Sequence, residues 1–135
     1  MPIIEFSPRD ILRGKVVTPA WYRVHIESVG EKPSADAQST NYPVEGTILF
    51  NADNGDTTFA NVPLDWNFNS KAIGFAVGYL AAMGVEVTPG KRFDLSKTAG
   101  QDIDIFVEND TYQNRLVNRV NHKYRKPNTE VKPMS

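Results

Sequence analysis

The chain of 135 residues contains no cysteine and only two histidines. Without cysteine there are no disulfides and no thiolate metal ligands, which is typical of a protein kept in a reducing cytoplasm. His25 and His122 are too far apart in the sequence to form a local metal motif, so we expect neither a metal nor a cofactor. No segment holds the ~18 consecutive apolar residues that a membrane span requires. We therefore expect one soluble domain with a single core.

Acidic residues are absent from residues 111–127, although this segment holds five lysines and arginines. Residues 1–90 carry six basic and ten acidic side chains, whereas residues 91–135 carry nine and six. The net charge of −1 therefore conceals a basic C-terminal third. Strand spacing predicts two rows, with Arg115, Arg119, Lys123 and Arg125 on one face and Leu116, Val120 and Tyr124 on the other. Such a strand joins a core through its apolar row and holds a polyanion with its cationic row.

Alternation and turn residues predict a β-rich layout with one helix. The predicted strands are residues 21–29, 42–51, 57–64, 102–108 and 112–125. Asn54-Gly55 is the strongest hairpin signal, because both residues accept positive φ at little cost. The helix is predicted to begin at an Asn69 or Ser70 cap and to end at Gly84. Its predicted apolar stripe consists of Ile73, Ala76, Val77, Leu80, Ala81 and Met83.

Three strands, a helix and two further strands is the order of the OB-fold, a five-stranded Greek-key barrel with its helix between strands three and four. We therefore predict an OB-fold-like domain at residues 20–126, an irregular N-terminal arm at residues 1–19 and a flexible tail at residues 127–135. An OB-fold binds its ligand across strands two and three, between two flanking loops. Here those loops are predicted at residues 30–40 and 109–114.

Two segments carry a resemblance to a known family. They are residues 78–85, Gly-Tyr-Leu-Ala-Ala-Met-Gly-Val, and residues 99–120, where a glycine opens a strand that leads through a tyrosine-containing turn into the basic strand. Both resemble small phage-encoded proteins of replication and recombination modules, which are described as single-stranded DNA-binding, OB-fold-like accessory factors. The likeness extends over most of residues 21–125. The ending Lys132-Pro-Met-Ser departs from the acidic tail with which many single-strand binding proteins recruit partners.

The resemblance implies single-stranded DNA as the partner, together with replication or recombination proteins and possible self-association, in the cytoplasm of a host cell. Single strands are held by cations along the phosphates and by aromatic rings on which bases stack, at ~1–3 kcal/mol per base. The predicted nucleic-acid contacts are Trp21, Arg23, His25, Tyr112, Arg115, Arg119, Lys123 and Arg125. For Trp21 and Tyr112, packing within the protein is an equal alternative, and a basic strand face is often simply a solvated face. Trp66 and Phe68 are expected in the core.

No catalytic site is predicted. No serine lies in a strand–turn–helix elbow, and no P-loop spacing is present. Asp102, Asp104 and Glu108 share a strand face, which permits a Mg²⁺ cluster, although acidic residues are common at solvent-facing strand positions. Two hypotheses therefore stay open. One is a non-catalytic single-stranded DNA-binding protein of low sequence specificity, and the other is a protein-interaction module on the same fold, such as a replisome or recombinase partner or a virion component.

Overall fold

The computed structural model describes residues 2–36 and 38–134. Met1, Ala37 and Ser135, which belong to the predicted arm, first loop and tail, lie outside the described residues. The α-helices of the described chain are α1 (Pro8–Leu12) and α2 (Phe75–Ala82). Its strands are β1 (Ala20–Val29), β2 (Lys32–Pro33), β3 (Thr40–Asn51), β4 (Pro63–Asn69), β5 (Asp102–Tyr112) and β6 (Arg115–Arg125). Neither helix has the length and hydropathy needed to cross a membrane.

The strands form one antiparallel sheet with β1 at its centre. β3 and β5 pair with the two edges of β1, β4 pairs with the far edge of β3, and β6 pairs with the far edge of β5. The two strands at the far edges, β4 and β6, approach each other. The ring of Phe68 in β4 lies 5.4 Å from that of His122 and 6.4 Å from that of Tyr124, both in β6. The prediction of a mainly β chain with a helix before its last two strands is confirmed at this level.

The core lies between one side of the sheet and α2. Alternate residues of β1 and β5 are fully buried there, namely Tyr22, Val24, Ile26, Ile103, Ile105 and Val107. Removing each such aliphatic side chain from water contributes roughly 1.5–3 kcal/mol. The predicted helix stripe is confirmed at Ala76 and Leu80, which are buried, and at Met83, which packs against the core. It is wrong at Ile73, Val77 and Ala81, which are exposed, while Tyr79 and Ala82 are buried instead. A 3₁₀ turn at Ser70–Ala72, capped by Asn69, precedes α2, so Ile73 lies before the helix begins.

The predicted third strand, residues 57–64, is displaced: the strand is β4, residues 63–69. The side chains of Asn51, Asn54 and Asp56 accept backbone N–H groups two residues ahead, which produces successive turns after β3. Such local hydrogen bonds compete with a strand ladder, so pairing resumes only at Pro63. Trp66 and Phe68 are consequently strand residues, and both are buried, as expected of core aromatics.

A bulge between β5 and β6 sets which side chains of β6 face outward. Ile105 pairs with Tyr124 and Val107 pairs with Val120, so the single residue Phe106 stands opposite the three residues 121–123. The bulge contains His122 with a φ of 56°. Because β6 gains two residues here, its alternation is the same on either side of the bulge, and Arg119 and Arg125 lie on one face as predicted. Leu116, in contrast, is exposed, because the hairpin extends beyond the core.

The N-terminal arm contains α1, which is fixed to the outer side of β3 and β4. Arg9 donates a hydrogen bond of 2.7 Å to the Thr47 hydroxyl, and Arg13 forms a 2.5 Å ion pair with Asp65. Ser7 caps the helix and accepts the backbone N–H of Asp10. The two strands under α1 are those across which an OB-fold binds its ligand. In this structure that surface is partly covered by the chain's own arm.

The C-terminal segment after β6 runs back along the sheet. The carbonyl of Asn128 accepts a 2.8 Å hydrogen bond from Arg23, and the backbone N–H of Met134 donates to the carbonyl of Gly55 at 2.8 Å. Gly55 has a φ of 79°, and a Cβ atom there would lie 2.1 Å from the Lys132 carbonyl oxygen. The segment therefore requires glycine at this turn. The predicted domain boundaries themselves stay a prediction.

Candidate nucleic-acid interface

The outward side of β1, β5 and β6 gathers six of the eight predicted contact residues. We call this surface the strand face, defined by Trp21, Arg23, His25, Asp104, Phe106, Arg119, Lys123 and Arg125. The pairing of Trp21 with Phe106 and of Arg23 with Asp104 aligns β1 with β5, and Asp104 in turn pairs with Arg125 of β6. Antiparallel register thus brings together residues that are some hundred positions apart in the sequence.

The remaining two predicted residues lie at the tip of the β5–β6 hairpin. Tyr112 pairs with Arg115, and the two residues between them, Gln113 and Asn114, have positive φ angles, as a two-residue hairpin turn requires. Residues 109–112 therefore belong to a strand and not to the predicted loop. At ~3.3 Å per residue, the tip is roughly 20 Å from Phe106. Tyr112 and Arg115 therefore lie on the same outward side of the hairpin as Arg119, but at its far end, beyond the aromatic rings of the strand face.

The strand face carries two aromatic rings, each with a cation above it. Trp21 and Phe106 meet edge to face, with ring centroids 5.6 Å apart. The guanidinium of Arg125 lies 4.4 Å from the Trp21 ring, and the Lys123 ammonium lies 5.4 Å from the Phe106 ring. Cation–π contacts of this kind contribute ~0.5–1 kcal/mol at exposed sites. The same atoms are the ones that a single strand needs for stacking and phosphate binding.

The acidic residues missing from β6 are supplied by neighbouring segments. Lys123 forms a 3.0 Å ion pair with Glu108, and Arg119 pairs with Asp110. The hydrogen bond from Arg119 holds the pKa of Asp110 below its usual range. On β1, the imidazole of His25 lies 2.6 Å from the Asp102 carboxylate. Most cations of the strand face therefore already have a partner.

Asp104 is the buried centre of this charge network. Its side chain is 0% exposed and accepts hydrogen bonds from Arg23 at 2.5 Å and from Arg125 at 3.3 Å. Arg125 also reaches Asp53 at 2.6 Å. Arg23 is itself buried, with its guanidinium 5.0 Å from the Phe50 ring. Arg23 thus supports the strand face from beneath, while Lys123, Arg119 and Arg125 reach its surface.

Sequence reasoning did not find a pocket beside the C-terminal end of β1. This loop pocket, as we call it, has a volume of about 580 Å³ and is lined by Val29, Gly30, Glu31, Tyr42, Ile73, Ala76 and residues 93–96. Tyr42 packs against the core, whereas Phe93 and Ile73 are 43% and 44% exposed. The pocket joins four separate chain segments, so no local pattern reveals it. Its one sequence signal is the adjacency of Arg92 and Phe93 in a polar loop.

Three cations border the segments that line the loop pocket. Lys32 follows Glu31, Arg92 precedes Phe93, and Lys97 follows Ser96. All three are exposed, and across residues 2–36 and 38–134 none of them forms an ion pair. The charges of Lys32 and Arg92 are therefore available to an incoming anion, whereas that of Lys97 also acts on Asp94, whose pKa it helps to lower.

The carboxylates that the sequence allowed as a Mg²⁺ cluster have protein partners instead. Asp102 lies beside His25, Asp104 pairs with Arg23, and Glu108 pairs with Lys123. In the part of the chain that the structure describes, no group of three or more histidine and carboxylate residues has the arrangement of a metal site.

Comparison of the chain with known protein families and with curated proteins finds no match. The interpretation of both surfaces therefore depends on their own geometry and chemistry.

Proposed function

We propose that this chain is a non-catalytic single-stranded DNA-binding protein of low sequence specificity, built on an OB-fold-like barrel. The strand order β4-β3-β1-β5-β6, with α2 between β4 and β5, supports the barrel, because an OB-fold has the same neighbours. The observation that carries the proposal is the pair of adjacent aromatic rings on the strand face, each with a cation over it. Trp21 and Phe106 lie side by side there, and Arg125 and Lys123 lie above them.

This arrangement supplies both interactions that hold a single strand. Bases stack on aromatic rings and on guanidinium planes, so Phe106, Trp21 and Arg125 offer a stacking surface. The side chains of Arg119 and Lys123 are both 55% exposed in their ion pairs. Exposed ion pairs contribute only ~0–1 kcal/mol, so a phosphate replaces a carboxylate at small cost. Contacts of this kind do not read base edges, which is the physical reason for low specificity.

Binding is tested by fluorescence anisotropy of a labelled oligo-dT of ~30 nucleotides, with duplex DNA as competitor, over a series of salt concentrations. The proposal expects salt-dependent binding that prefers the single strand. Lys123→Ala should weaken it about threefold and reduce the slope of log affinity against log salt by less than ~0.7, the value for one lost phosphate contact, because Glu108 is freed at the same time. Lys15→Ala is the matched control, because Lys15 lies 5.8 Å from the ring of Phe59, which packs against the core and not on the strand face.

Two results would contradict the proposal. One is the absence of oligonucleotide binding at low salt, and the other is duplex DNA competing as well as the single strand. Equal effects of Lys123→Ala and Lys15→Ala would assign binding to a surface other than the strand face. Phage DNA replication or recombination in the cytoplasm of a host cell is the setting that this proposal carries over from the resemblance.

A protein-interaction module is the second candidate, and the N-terminal arm favours it. Ile3, Ile4, Phe6 and Ile11 are between 65% and 91% exposed, although they are large apolar side chains within one short segment. Clustered exposed apolar groups of this kind mark interaction surfaces. If the arm binds a second copy, sedimentation equilibrium will detect an oligomer that Ile3→Ser with Phe6→Ser dissociates. A chain that stays monomeric at every concentration would remove self-association from this candidate.

A further inference from the structure

The loop pocket has the size and lining of a site for a planar ring. Its volume of about 580 Å³ falls within the range of small-molecule sites, roughly 300–1,000 Å³. Tyr42, Ala76 and Leu95 form an apolar floor that packs against the core. Phe93 stands at the rim with 43% of its surface exposed, although an isolated phenylalanine gains by burial. A flat apolar ligand between Phe93 and the floor would cover this surface.

Carboxylates give the pocket a specific hydrogen-bonding character. Oδ1 of Asp94 accepts the Ser96 hydroxyl at 2.6 Å and the Ser96 backbone N–H at 3.0 Å. These hydrogen bonds, with the charge of Lys97, lower the pKa of Asp94. Among the described residues, its other oxygen has no hydrogen-bond partner. Glu31 lines the same pocket and is exposed.

The charges inside and around the pocket favour different parts of a nucleotide. Ionised carboxylates repel phosphate and accept N–H groups, so the pocket itself suits a neutral base. Lys32, Arg92 and Lys97, which border the lining segments, suit the phosphates on either side. A base that leaves its stack is bound in this way, with its face on an aromatic ring and its Watson–Crick edge on protein acceptors.

The acceptors also discriminate between bases. Guanine presents two adjacent N–H donors on its Watson–Crick edge, which match the two oxygens of the Glu31 carboxylate. Oδ1 of Asp94 is occupied by Ser96, so Asp94 offers its other oxygen alone. Thymine presents one N–H between two carbonyl oxygens, and a carboxylate repels those oxygens. A well-formed bidentate contact to a base discriminates about tenfold or more against the wrong base.

We propose that the loop pocket binds one unstacked base of single-stranded DNA, prefers guanine to thymine, and has the neighbouring phosphates held by Lys32, Arg92 and Lys97. This inference rests on the proposed function. It adds a base preference at one position to a protein whose strand face distinguishes no bases.

The test uses two labelled oligonucleotides of ~15 nucleotides, one all thymine and one with a single central guanine, in anisotropy titrations of the full chain. We expect the guanine-containing strand to bind the natural protein about tenfold more tightly. Glu31→Gln with Asp94→Asn should abolish this preference and leave binding to the thymine strand intact. Asparagine is also a good helix cap, so Asp94→Asn preserves the turn that Asp94 begins.

Phe93→Ala should weaken binding of the guanine strand about tenfold through loss of stacking. Val87→Ala is its control, because Val87 is an exposed apolar residue of the same loop that does not line the pocket. Equal affinity of the natural protein for both strands would overturn the inference, as would a guanine preference unchanged by all three pocket substitutions. Absence of binding to either strand at low salt would overturn the proposed function and this inference together, so the two failures are distinguishable.

Discussion

The strand face and the loop pocket both combine aromatic rings with cations, but they differ in what those cations already contact. On the strand face, Lys123 and Arg125 are held by carboxylates of neighbouring segments. At the loop pocket, Arg92 and Lys97 form no ion pair within the described chain. A phosphate must break an ion pair at the first surface and breaks none at the second, where Asp94 acts on Lys97 through its charge alone. The number of cations on a surface is therefore a poor guide to its affinity for a polyanion.

The largest expected difference between the two surfaces is in how much their acidic residues contribute to the free energy of unfolding. Asp104→Asn should lower the free energy of unfolding by about 3 kcal/mol, because it leaves the buried charge of Arg23 without its partner. Glu31→Gln, at the exposed mouth of the loop pocket, should change it by less than about 0.5 kcal/mol. Urea denaturation of both variants measures the difference. Similar midpoints would mean that Asp104 does not hold the network together.

The next largest difference is in how much the cations of each surface contribute to the salt dependence of DNA binding. Replacing Lys32, Arg92 and Lys97 together by alanine should reduce the salt slope of DNA binding by about 2, because each contributes ~0.7 per phosphate on a single strand. Replacing Arg119 and Lys123 together should reduce it by less than about 1, because Asp110 and Glu108 are freed at the same time. Anisotropy titrations over a salt series give both slopes. A larger change for the strand-face pair would reverse the comparison.

A smaller effect concerns the aromatic residues. Trp21→Leu should destabilise the fold by about 1–2 kcal/mol, since Trp21 loses its edge-to-face contact with Phe106 and its contact with Arg125. Phe93→Ala should leave stability within about 0.5 kcal/mol, because Phe93 is 43% exposed and lies outside the core. Thermal unfolding of the two variants provides the measurement. If Phe93→Ala proves the more destabilising, the rim of the loop pocket is part of the core.

The smallest effect comes from His122, which belongs to the basic strand but turns toward α2. Burial, aided by the charge of Arg119, lowers the pKa of His122 in the folded protein. The unfolded chain then binds more protons between that pKa and the ordinary value of ~6.5, so stability should fall as the pH drops through this interval. His122→Asn should flatten this part of the pH profile and tolerate the positive φ. A wild-type profile that is already flat below pH ~6.5 would contradict the shift.

Part of this structure follows directly from local pattern. Alternation identifies β1, β3, β5 and β6, because each strand has one face in the core. Alternation does not predict the position of β4. The asparagine and aspartate side chains after β3 form turns that delay this strand, and alternation of apolar and polar residues does not reveal such turns.

The ion pairs of β6 cannot be predicted from local sequence patterns for a different reason. The row of cations in β6 is visible in the sequence, but their partners are on β5 and in the turn after β3. Which carboxylate meets which cation depends on register, and the register depends on the bulge around His122. The loop pocket is harder still, because its lining comes from four segments that only the folded sheet and α2 bring together.

The bulge in β6 also determines how this strand tolerates changes in length. Its three residues, Asn121 to Lys123, stand opposite one residue of β5, so β6 has two extra residues here, an even number. Deletion of a single residue here would exchange the directions of Tyr124 and Arg125, burying a guanidinium and exposing a phenol. Deletion of two would restore regular pairing with both directions unchanged. Homologous strands should accordingly vary by pairs of residues at this point and conserve the parity of their length.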